Sequence, residues 1–311
     1  MNQPPVVRLD PWSRVAACLV CACAVLHAAA LPDISSVPPD LNVPDLVDGP
    51  PGAGKRVRFG LFAGTPSVIL YLPTDWTPDE KFPLIIELAG NGNFNNSFGD
   101  TSSGLPEGSK LGYGLSGGKG FVWACVPFLN EAGNKTAITW WGDAPAYRPE
   151  STVAFIKRVV PTLCERFSGD PQRVILCGFS RGAIATNAIG LHDDEIAALW
   201  RGFVCYSHYD GVSTRWPFAG ADSDSARRRL ARLKGRPQLI CCESTIAVTR
   251  RYLESTGIQG DFTFLETGFR NHNDAWALRP SAARDTARKW LAAVAKRHQA
   301  DPAIPMHSDP P

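Results

Sequence analysis

From Lys55 onward, short continuous apolar runs alternate with longer segments in which apolar positions recur every three or four residues. The runs are the mark of strands buried on both faces, and the longer segments are the mark of amphipathic helices. The pattern predicts strands at 55–62, 66–72, 83–89, 120–127, 173–179, 201–207, 237–242 and 262–266. Helices are expected at 150–168, 181–190, 223–234, 246–256 and 281–298. Such alternation implies a mostly parallel, eight-stranded sheet with helices on both faces, the α/β class. There is no internal repeat.

The stretch "NGNFNNSFGDTSSGLPEGSKLGYGLSGGKG", residues 91–120, breaks the alternation. It follows the strand "PLIIEL" and is dominated by Gly, Asn and Ser. Long loops inside compact domains are usually functional or mobile, and loops after strand C-termini line the ligand crevice of an open parallel sheet. This loop is therefore expected to border a site, with a disordered insertion as the plain alternative.

The ends differ from the middle. Arg8 and Arg14 precede an apolar run at 15–26, and His27, Ala28, Ala29 and Ala30 follow it. That order matches a charged region, an apolar region and a small-residue cleavage site, so residues 1–30 read as an export signal cut near Ala30. The run is too short for a permanent membrane anchor, and the mature chain is expected to be secreted or periplasmic. Residues 31–54, rich in Pro and Asp, read as an extended, poorly packed leader. Residues 55–298 form the domain, and 299–311 a disordered tail.

Composition narrows the function. The chain has 311 residues, 44% of them hydrophobic, which supports one sizeable core. A net charge of +2, with basic clusters at 227–229 and 284–297 in helical spacing, gives solvated helix faces and no nucleic-acid surface. Cleavage would leave Cys125, Cys164, Cys177, Cys205, Cys241 and Cys242, five of them inside predicted strands, where cysteine acts as a small apolar side chain. No His or Cys spacing fits a metal site.

"VILCGFSRGAIATNAIGL", residues 174–191, joins a predicted strand to a predicted helix through G-x-S-x-G. By composition alone the pentapeptide would occur in roughly one chain of this length in ten, so its setting carries the meaning. At a strand-to-helix elbow Ser180 sits in a strained conformation, and the flanking glycines have no Cβ to collide with neighbouring backbone. Its hydroxyl then projects at the positive end of a helix dipole, suited to a nucleophile. A serine needs a base, and His272 in "GFRNHNDAWALR" follows the last strand, where the chain order Ser, acid, His places it. His192 is too local to reach Ser180, and His208 is the remaining histidine of the domain interior. The acid is open between Glu243, at the end of "PQLICCE", and Asp210, in "YSHYDGV"; Asp274 is too near His272 in sequence to face its ring. The backbone N–H of Arg181 and that of Asn91 are the expected oxyanion donors. Trp140, Trp141, Tyr209 and Trp216 are candidate pocket walls.

"GFSRG", the Gly/Asn-rich loop after "IIELAG" and "NHNDAW" together resemble the α/β-hydrolase superfamily, and within it exported esterases similar to polyhydroxybutyrate depolymerases and feruloyl or acetylxylan esterases. The resemblance covers residues 55–298. It implies an α/β-hydrolase fold, a Ser-His-acid triad on Ser180 and His272, an acyl-enzyme, no metal or organic cofactor, and a small or polysaccharide-linked ester as substrate. The sequence departs from the pattern at Ala89, where many members have histidine, and in lacking the usual aspartate after the penultimate strand. Peptide cleavage by the same triad, or a silent binding module on the same fold, are the alternatives.

Overall fold

In a computed structural model of the chain, residues 31–296 are described. The segment read as an export signal and the tail at 299–311 lie outside the described residues. In chain order the elements are β1 (Arg56–Phe59), β2 (Val68–Tyr71), β3 (Phe82–Leu88), β4 (Phe94–Asn95), β5 (Thr101–Ser102), α1 (Leu111–Ser116), β6 (Val122–Val126), α2 (Glu150–Arg166) and β7 (Gly169–Phe179). They continue with α3 (Arg181–Ala188), α4 (Asp194–Ala197), β8 (Gly202–Tyr206), α5 (Ser223–Ala231), β9 (Gln238–Cys242), α6 (Ala247–Thr256), β10 (Phe262–Glu266) and α7 (Ala282–Lys296).

Eight strands form one sheet in the order β1-β2-β6-β3-β7-β8-β9-β10. β2 runs antiparallel to both of its neighbours, and every other pair is parallel. This is the α/β-hydrolase arrangement the sequence led us to expect. Strand alternation decides the two faces. Val68, Leu70, Leu84 and Ile86 pack with α2, α3, α5 and α6 on one side. Ile69, Tyr71, Ile85, Ile175 and Val204 pack with α1 and α7 on the other. The six cysteines of the described residues are buried and free.

Two expectations change. Residues 31–54 are not a loose tether: Ile34 is buried in the α1/α7 face, Asp33 bonds Arg270 at 2.9 Å and Arg284 pairs with Asp40 at 2.7 Å. Asp33 and Asp40 of this leader are partners for arginines near the other end of the chain. The 91–120 stretch is structured rather than one long loop. It holds the β4/β5 hairpin and α1, whose N-terminal amides of Leu111 and Gly112 are received by the buried Glu87 carboxylate at 3.1 and 2.8 Å.

Candidate active site

The elbow between β7 and α3 is built by its glycines. A Cβ on Gly178 would run into the carbonyl of Gly182, and one on Gly182 into the Leu88 carbonyl of β3, so neither position accepts a side chain. Between them Ser180 has φ +55° and ψ −115°, outside the ordinary regions for an L-residue. Its N–H donates to Tyr206 O at 2.9 Å, which seats the turn at the C-terminal edge of the sheet.

His272 comes to Ser180 from the loop after β10. Its Nε2 lies 3.0 Å from Ser180 Oγ, and its Nδ1 lies 2.7 Å from Glu243 Oε1. Burial works to raise the Glu243 carboxyl, but the hydrogen bond and charge of His272 outweigh it and hold the group below the usual carboxylate range. The structure thus brings Ser180, His272 and Glu243 into one line.

Asp100, buried in the loop between β4 and β5, fixes the histidine loop. Its Oδ2 accepts from the N–H of His272 at 3.0 Å and from Asn96 Nδ2 at 2.9 Å. Its Oδ1 accepts from Asn271 Nδ2 at 3.0 Å and Asn273 Nδ2 at 3.2 Å. The asparagines on both sides of the histidine in "NHN" are therefore grips on one carboxylate. From the Asn-rich stretch after β3, Asn96 joins this grip.

A cavity of about 220 Å³ opens over Ser180, walled by Asn91, Phe94, Trp140, Ile184, His208 and Trp216. Phe94 and His208 also flank the His272 ring, at centroid distances of 5.1 and 5.3 Å. Burial, then the neighbouring His272, lowers the pKa of His208, which favours its neutral form. Arg181 opens α3, and the first N–H groups of a helix have no carbonyl partner within it. Its buried guanidinium is held by backbone carbonyls. Nη1 donates to the carbonyls of Ala137 and Trp140, Nη2 to Gly104 at 3.1 Å, and the guanidinium lies 4.1 Å over Phe128. With burial unrelieved by a carboxylate, its pKa falls to about 9. Asn91 Oδ1 accepts from Trp140 N at 2.8 Å, which joins the loop after β3 to the tryptophan wall.

Three expectations are corrected. Asp210 does not face His272; it is buried in a bidentate pair with Arg229 at 2.8 and 2.9 Å, since the chain beyond β8 turns its side chain toward α5. Trp141 is buried in the core against Phe128 and Phe218 rather than on the pocket. Tyr209 is likewise in the core, its hydroxyl donating to Gln238 Oε1. An apolar ring next to a site loop does not tell from sequence which face it takes. Conversely Asp100, Phe94 and Ser207 were not singled out by sequence, because none stands in a motif. Ser207 Oγ lies 2.9 Å from Glu243 Oε1 and 2.8 Å from His272 Nδ1.

Among the described residues no cluster of His, Cys, Asp or Glu could hold a metal ion, and no helix is long and apolar enough to cross a membrane. The sequence matches no family profile, and no curated protein matches it. Solved structures do. A thermostable esterase is 15% identical over 73% of this chain, with a TM-score of 0.41; the chain spans 58% of that esterase's length. S-formylglutathione hydrolase from Agrobacterium tumefaciens is 17% identical, covering 74% of this chain and 89% of that one, with a TM-score of 0.47. FphF, a fluorophosphonate-binding serine hydrolase of Staphylococcus aureus, is 10% identical, covering 79% of this chain and 100% of that one, with a TM-score of 0.49.

Proposed function

We propose that the chain is a serine hydrolase that cleaves a carboxylic ester through an acyl-enzyme on Ser180. The observation that carries this reading is the unbroken run from Ser180 Oγ through the His272 ring to Glu243, set on a strained elbow beside an aromatic-walled cavity. Ser180 Oγ attacks the acyl carbon while His272 Nε2 takes its proton. Glu243 holds Nδ1–H and stabilises the imidazolium that forms. The tetrahedral oxyanion is received by the N–H of Arg181 and that of Asn91. His272 then returns the proton to the departing alcohol, and the same base activates water to release the acid. The substrate is a small or polysaccharide-linked ester, met outside the cytoplasm if residues 1–30 serve as the export signal they resemble. Glu243 at 2.7 Å from His272 Nδ1 favours this reading over a silent binding module on the same fold.

The test is to treat the protein with a fluorophosphonate probe and to locate the adduct by peptide mass mapping, beside turnover of an ester panel. An adduct on Ser180, with label and turnover both lost in Ser180→Ala, is expected. A folded protein that takes no label would overturn the reading.

A further inference from the structure

Ser207 stands between acid and base. Its N–H donates to Cys241 O at 2.8 Å and its φ is +86°, so the chain turns sharply just beyond β8 and holds the hydroxyl beside the end of β9. The hydroxyl donates to Glu243 Oε1 at 2.9 Å and lies 2.8 Å from His272 Nδ1. A hydroxyl has one proton and two lone pairs. With its proton given to the carboxylate, a lone pair remains for His272 Nδ1–H, which is then shared between Ser207 and Glu243. Nε2 is left without a proton, facing Ser180 Oγ. Glutamate, one methylene longer than aspartate, has one more torsion to fix. Glu243 Oε2, though buried, has no protein hydrogen-bond partner among the described residues. Apart from the imidazole itself, the hydroxyl of Ser207 is the one side chain bonded to that carboxylate among the described residues.

We propose that Ser207 is a positioning residue that pins the Glu243 carboxylate against His272 and thereby fixes the imidazole tautomer able to take the Ser180 proton; this rests on the reading of Ser180 as nucleophile. Ser207→Ala and Ser207→Gly are compared in the full chain, each alone and with Glu243→Ala. The readouts are kcat and KM for p-nitrophenyl acetate and the rate of Ser180 labelling by a fluorophosphonate. Both single variants are expected to lose about 10-fold in kcat and labelling rate with KM unchanged, the scale of one lost hydrogen bond to a charged group. The loss should shrink below about 2-fold in the Glu243→Ala background, because the hydroxyl acts through that carboxylate. Glycine adopts positive φ without strain, so a residue that merely shapes the turn would leave Ser207→Gly at least as active as the parent. That result, or equal losses in both Glu243 backgrounds, overturns the inference. A folded parent with neither turnover nor label overturns the reading of Ser180 and the role of Ser207 with it. A labelled parent matched by Ser207→Gly overturns the role of Ser207 alone.

Discussion

At the residue scale, two acids that look alike in sequence part company in the fold. Glu243 touches His272 and Asp210 touches Arg229, so their amide variants should fail in different measurements. Glu243→Gln keeps the shape but offers His272 an ambiguous partner and disturbs its tautomer, so kcat should fall by roughly 10³-fold or more with the unfolding midpoint little changed. Asp210→Asn leaves Arg229 buried without its counter-charge, so stability should fall by about 3 kcal/mol while the remaining folded enzyme turns over normally. Steady-state kinetics beside denaturant unfolding separates the two, and a large kcat loss in Asp210→Asn would mean the assignment is reversed. The serine and histidine of this site were legible because the strand, elbow and helix around "GFSRG" and the position after the last strand define them. The acid was left open because both candidates follow neighbouring parallel strands at the same edge, and only the turn beyond β8 decides where Asp210 points.

At the scale of elements, the strands and the longer helices were legible because burial on both faces gives continuous apolar runs and burial on one gives helical spacing. The β4/β5 hairpin and α1 were not, since the strands are two residues each and α1 is a six-residue helix interrupted by Gly112 and Gly114, all set in Gly-, Asn- and Ser-rich chain whose pattern defaults to loop. What holds them is tertiary: Glu87 receives the first amides of α1, and Asp100 collects Asn96, Asn271, Asn273 and the N–H of His272. Replacing Asp100 with Asn puts an amide NH₂ where donors already point, so at least one buried donor loses its acceptor. The expected cost is about 1–3 kcal/mol. Because the lost contact is on the histidine loop, fluorophosphonate labelling of Ser180 should slow as well, by about 10-fold, the effect of a small misplacement of a base. An Asp100→Asn protein of reduced stability but unchanged labelling rate would show that the loop holds His272 without this carboxylate.

For the molecule as a whole, the leader shows where sequence patterning fails: residues 31–54 read as extended and poorly packed, yet the partners of this segment, Arg270, Asn271 and Arg284, are far away in sequence. No local rule reaches across that distance. Glu87 gives a second long-range effect, readable as a pH dependence of global stability. Burial in the centre of the sheet, then the nearby charge of Asp274, raises its pKa from 4.5 to about 7 against the pull of the Gly112, Trp123 and Leu111 donors. Between those two values the folded protein holds a proton that the unfolded chain has released, so unfolding becomes easier as pH rises through the window and levels off above it. The full shift corresponds to about 3 kcal/mol. Glu87→Gln has no such proton, and comparison with it cancels the other titrating groups. Denaturant unfolding at pH 5 and pH 8 should therefore show the variant gaining about 2.5 kcal/mol relative to the parent at the higher pH, part of the shift being already lost at pH 5. A difference that stays constant between the two pH values would mean that the three N–H donors, rather than burial, govern Glu87. The carboxylate joining α1 to β3 would then be charged throughout.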